Sequence, residues 1–152
     1  MKYFSTRDKN LNLDFKEIFL RGLAPDGGLF LPKAVKRYST SELVNLKKLN
    51  YQDLAYEIIS NFCGDDLKPE LTNIIKKSYS NFFDKNVVTL KQLDHLNFLE
   101  LYHGPTLAFK DYAMQVIGNI YEEYLSNSDQ KITIVVATSG DTGAAAIYAL
   151  AN

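Results

Sequence analysis

Apolar positions recur at helical spacing through the first half of the chain and give way to strand-like runs near residue 87. Asp14 precedes Phe15, Ile18 and Phe19, which predicts a short capped helix stopped by Gly22. Ala24-Pro-Asp-Gly-Gly28 is turn chemistry, and Leu29-Phe-Leu after it predicts a short extended run ended by Pro32. Ser39 and Glu42 make a capping box that opens a helix to about Leu49. Leu54, Ala55, Ile58, Ile59 and Phe62 share one helical face closed by Gly64. Pro69 then opens a helix whose inward face carries Leu71, Ile74, Ile75 and Tyr79. These stripes read as packing surfaces, and the Pro-Asp-Gly-Gly loop as a plain turn.

Beyond Val87 the period changes. Val87–Leu90 and Phe98–Tyr102 read as strands with a turn near Asp94-His95. A helix from about Ala108 to Leu125 follows, with Thr106 as its expected cap and Phe109, Ala113, Val116, Ile117, Ile120 and Tyr124 as its buried stripe. Lys131–Ala137 is a continuous apolar run of the kind found inside a parallel sheet, and Ala144–Asn152 starts another helix. Strand, helix, strand, helix predicts a βαβ unit and an α/β fold. The division expected is a mostly helical region at 1–86 and the start of a parallel sheet domain at 87–152.

Composition narrows the classes. The chain has 152 residues with 17 basic and 18 acidic side chains, so its net charge of -1 offers no electrostatic case for nucleic acid. No apolar run approaches the roughly 18 residues of a membrane span, and the first residues lack the apolar stretch of a signal peptide. Cys63 is the only cysteine, which excludes an intramolecular disulfide and a cysteine-rich zinc site. No metal is expected, and the setting expected is reducing and cytoplasmic.

The candidate chemistry sits where predicted strands run into helices. Lys110 falls in the first turn of its helix, where the partial positive charge of the helix end disfavours an ammonium and burial would favour the neutral amine further. Such an amine suits Schiff-base chemistry with an aldehyde cofactor. Asp111 beside it offsets part of the local charge. The second candidate is Thr138-Ser-Gly-Asp-Thr-Gly143. Gly140 and Gly143 allow a close backbone approach, Ser139 and Thr142 add hydroxyls, and the helix-start amides face an anion. Asp141 would repel a dianion, so a carboxylate ligand, or a hydrogen bond to a phenolic oxygen, fits better than a phosphate. In an open α/β sheet both loops leave carboxyl ends of strands, which predicts that they lie on one edge. His103 reads as part of the Gly-Pro turn's packing, with a phosphate-orienting role as the alternative.

His103-Gly-Pro-Thr-Leu-Ala-Phe-Lys110-Asp and Ala137-Thr-Ser-Gly-Asp-Thr-Gly-Ala-Ala145 together closely resemble the threonine synthase family, as do Tyr3-Phe-Ser-Thr-Arg7 and Gly22-Leu-Ala-Pro-Asp-Gly-Gly-Leu-Phe-Leu-Pro32. The resemblance implies a fold-type II, tryptophan synthase β-like enzyme using pyridoxal 5'-phosphate, with this chain a truncated N-terminal portion of it. It implies a carbon–oxygen lyase acting on a phosphate ester, converting O-phospho-L-homoserine and water to L-threonine and phosphate. Lys110 would be the Schiff-base lysine and proton shuttle. Ser139, Gly140, Asp141, Thr142 and Gly143 would bind the substrate carboxylate, with Asp141 also near the cofactor's ring oxygen. Monomer or homodimer is implied, with no nucleic-acid or membrane partner. Family members are longer, with the cofactor's phosphate cup and ring-nitrogen contact downstream of residue 152, so the chain alone is expected to be poorly stable and nearly inactive. Two other readings stay open: another fold-type II enzyme such as a serine or threonine dehydratase, and a truncated, non-catalytic paralogue.

Overall fold

The computed structural model describes residues 1–126, 128–129 and 131–151. They divide into two compact units, Met1–Thr72 and Asn73–Asn152. The division falls ahead of the change of pattern near residue 86.

In the first unit, β1 (Tyr3–Ser5) pairs antiparallel with β2 (Phe30–Pro32), with Phe4 opposite Leu31. No periodicity announced β1, because three residues are too few to show one. Between these strands, α1 (Phe15–Arg21) starts at the expected cap, Asp14, which the structure shows to form a reciprocal capping box with Glu17, and ends at Gly22. The Pro-Asp-Gly-Gly turn is tied to β1: the Asp26 carboxylate accepts from Ser5 Oγ at 2.8 Å and from the Gly28 amide at 2.8 Å. Those bonds hold the carboxyl below its ordinary range, the Ser5 hydroxyl contributing most.

Helix α2 (Thr40–Leu46) begins at the predicted Ser39–Glu42 capping box, and α3 (Tyr51–Ile59) at Asn50, whose side chain accepts from the Asp53 amide. Tyr3, Ala24, Cys63, Leu67 and Leu71 are buried in this unit. The Tyr3 hydroxyl donates to the Phe62 carbonyl, and burial above all pushes its pKa up to about 12. Burial likewise pushes the Cys63 thiol up to about 11, so this cysteine packs rather than reacts.

Helix α4 (Lys68–Tyr79) carries the chain into the second unit. There β3 (Thr89–Leu93) and β4 (Leu96–Glu100) form an antiparallel hairpin with Thr89 opposite Glu100. The hairpin starts two residues later than the apolar pattern suggested. Val87 takes a positive φ of 67°, which removes it from the strand, and it is buried with its carbonyl accepting from the Tyr112 hydroxyl at 2.7 Å. Asp94, at φ 51°, turns the hairpin.

After a run of turns, α5 (Asp111–Leu125) and α6 (Asp141–Leu150) pack against one another. Val116 and Ile120 of the expected stripe are buried, together with Ala145 and Ala146 of α6. Helix α6 starts three residues before the expected Ala144; Asn152, the last residue of that expectation, lies outside the described residues.

The expected parallel strand at Lys131–Ala137 is a correction. Residues 131–138 have no ladder partner among the described residues, all of those described are exposed, and Val135 is 89% exposed. An apolar, β-branched run supplies propensity, but a parallel ladder also needs a neighbouring strand. Here the two strands ahead of it satisfy each other as a hairpin. The described residues therefore form an α/β arrangement with antiparallel pairs only, and the shared sheet edge expected for the two candidate loops is absent among them.

Candidate active site

Lys110 occupies the N-cap of α5, one residue earlier than the first-turn position expected, and its backbone is already helical (φ -63°, ψ -24°). Its carbonyl accepts from the amides of Ala113 at 3.2 Å and Met114 at 2.9 Å, which fixes the start of the helix. The side chain is half-buried, and its Nζ lies 4.8 Å from the centre of the Phe109 ring. Among the described residues no carboxylate pairs with this amine.

Thr106 is not the cap that its position suggested. A lysine cannot accept a hydrogen bond, so α5 has no side-chain cap. The loop is instead fastened from inside the helix. Asp111 is fully buried, and its two oxygens accept from the Thr106 amide at 2.8 Å and the Thr106 hydroxyl at 2.7 Å. Gly104 presses on the same side chain: a Cβ there would lie 2.4 Å from that of Asp111. The sequence reading gave Asp111 only a charge-offsetting part. The available signal was an acidic residue at the first helical position, where free amides favour an anion.

Upstream, the end of β4 carries a polar cluster. Glu100 accepts from Lys91 Nζ at 2.7 Å and lies 3.3 Å from His103 Nε2, with its side chain 12% exposed. The Lys91 bond is the main reason that the Glu100 carboxyl sits below its usual range. The buried His103 Nε2 completes no hydrogen bond among the described residues, and the Glu100 oxygen is its ion-pair neighbour. The His103 carbonyl accepts from the Phe83 amide at 2.8 Å. The backbone of His103 is thus fixed, and its ring lies against that of Tyr102, 4.7 Å between centroids.

The second loop opens α6. Thr138 Oγ1 accepts from the Gly140 amide at 3.3 Å, and Gly140 is the N-cap at φ 155°, a conformation that favours glycine. With no side-chain cap, the first amides of α6 are free to meet an anion. Ser139, Gly140 and Asp141 are exposed, Thr142 is half-buried, and Gly143 is buried against the Thr138 methyl group. Lys110 and this turn therefore begin the two helices that pack together, and the described residues show no hydrogen bond or ion pair between them.

A free primary amine and an uncapped helix start suit an aldehyde cofactor and a carboxylate ligand in their donor chemistry. The described residues contain no cluster of His, Cys, Asp and Glu able to hold a metal ion. No helix among them is long and apolar enough to cross a membrane.

The family model for the N terminus of threonine synthase matches residues 2–79, more than half of the chain. The chain belongs to the threonine synthase family. It is 42% identical to the threonine synthase of Methylobacillus glycogenes, over 99% of this chain and 34% of that protein. The crystal structure of threonine synthase from yeast superposes with a TM-score of 0.90 at 40% identity, over 98% of this chain and 33% of that one. The pyridoxal-phosphate-bound threonine synthase from Brucella melitensis gives 0.91 at 39% identity, over 98% and 32%. The chain spans about a third of the length of the curated relatives it matches.

Proposed function

We propose that these residues contribute the cofactor lysine and the substrate-carboxylate turn of a threonine synthase, a fold-type II lyase that converts O-phospho-L-homoserine and water to L-threonine and phosphate. The observation that carries this reading is the amine of Lys110, half-buried and free of any carboxylate partner, at the uncapped start of α5. When bound, pyridoxal phosphate supplies an electron sink for protons leaving the α and β carbons. Lys110 would hold the cofactor through its aldehyde and, as a flexible amine, would take and return those protons. The amides and hydroxyls of Ser139, Gly140, Thr142 and Gly143 bind the substrate carboxylate through the free amides of α6. Asp141 serves both that turn and the ring oxygen of the cofactor.

The same reading assigns residues 87–152 to the cofactor domain of the whole enzyme. It also makes that enzyme cytoplasmic, as a monomer or homodimer. The test is reduction of the protein with borohydride in the presence of pyridoxal phosphate, followed by peptide mapping. The label is expected on Lys110. A label settled on another lysine, with Lys110 unmodified, refutes the assignment.

A further inference from the structure

We infer that Asp111 is the positioning residue for the Lys110 amine, an inference that rests on the cofactor role proposed for Lys110. The side chain of Lys110 has little of its own to fix it: the contact recorded for its Nζ is the Phe109 ring, 4.8 Å away. Its location is therefore inherited from the backbone on either side. Behind it, Ala113 and Met114 hold its carbonyl. In front lies a loop with a left-handed residue, Leu107 at φ 62°, whose amide closes onto the Gly104 carbonyl at 3.0 Å. Such a conformation persists only where its surroundings over-determine it.

Asp111 does so. Its oxygens take both the amide and the hydroxyl of Thr106, its side chain fills the space that a Gly104 side chain would need, and its own amide donates to Ala108 at 3.0 Å. The buried carboxylate thus binds residue 106 and packs against residue 104, while the main-chain amide of Asp111 ties residue 108, all around the lysine that precedes it. Among the described residues it makes no hydrogen bond or ion pair with the Lys110 amine, and it acts through the loop.

The test compares Asp111→Asn, Thr106→Val and Thr106→Ser with the unaltered protein, after circular dichroism of each. Two readouts are taken at Lys110: competitive acetylation of all lysines without cofactor, and borohydride labelling with pyridoxal phosphate. Asparagine keeps the shape but puts a donor where an acceptor is needed. Asp111→Asn is expected to bring the acetylation of Lys110 to that of the exposed lysines and to cut its share of the borohydride label about tenfold, since misplacement on the order of 1 Å can cost about 100-fold in rate. Thr106→Val, which keeps the amide bond, is expected to shift both readouts in the same direction by less, and Thr106→Ser to restore them.

Unchanged Lys110 reactivity in a folded Asp111→Asn protein overturns the inference. Should that variant fail to fold, identical behaviour of the Val and Ser variants overturns it instead. A borohydride label absent from Lys110 in the unaltered protein sinks the cofactor reading, while acetylation still decides whether Asp111 governs the amine.

Discussion

Gly118 lies in the middle of α5, where helix propensity alone says that alanine would be better by about 1 kcal/mol. The contact with α6 reverses that sign. A Cβ on Gly118 would lie 2.3 Å from the Ala149 carbonyl oxygen and 3.1 Å from its carbon, more than about 1 Å inside the ~3.5 Å optimum for the nearer atom. Both are backbone atoms of a helix, so no side-chain rotation relieves the overlap, and α6 must move as a body. Overpacking costs about 1–3 kcal/mol, and a clash with backbone atoms that cannot rotate away falls in the upper part of that range, about 2–3 kcal/mol. Subtracting the propensity gain of about 1 kcal/mol leaves Gly118→Ala destabilising by about 1–2 kcal/mol. For a chain of 152 residues that corresponds to a fall of roughly 2–8 °C in the thermal midpoint, read by far-ultraviolet circular dichroism. Adding Ala149→Gly removes only the third-nearest atom, at 3.3 Å, and is expected to rescue little. An unchanged or raised midpoint for Gly118→Ala would show that the helices do not approach as described.

Two further expectations concern the loops and the charges. Gly140 has open space around it but a φ of 155°, so Gly140→Ala pays in backbone strain alone: about 1–3 kcal/mol, seen as a lower urea midpoint, and a wild-type midpoint would refute the strained turn. The Glu100 carboxyl is held below its ordinary value of 4.5 chiefly by Lys91, and that of Asp84 below 3.8 chiefly by the Thr89 hydroxyl. A depressed native pKa contributes stability that is complete above the ordinary value and lost as pH falls through the native one. Urea midpoints are therefore expected to be level from pH 7 to about 5 and to drop below about 4, with a shallower drop in Lys91→Met, where the Glu100 carboxyl returns towards its ordinary value. An acid limb of undiminished depth in Lys91→Met contradicts the cause assigned to Glu100.

The sequence by itself determined the elements whose signals are local. Asp14 as a cap and Ser39 with Glu42 as a capping box satisfy helix-start amides within four residues, so the starts of α1 and α2 were readable from residue type and spacing. Tertiary structure decided what depends on a distant partner. Val87 left its strand because its carbonyl serves Tyr112, twenty-five residues away. The run at 131–137 has every local qualification for a strand and no ladder among the described residues, since pairing belongs to two strands and composition to one. Asp111 looked like a surface counter-charge, but the fold buried it completely and made it the clamp of the loop before Lys110. A buried carboxylate must find donors, and only the folded chain settles which donors are within reach.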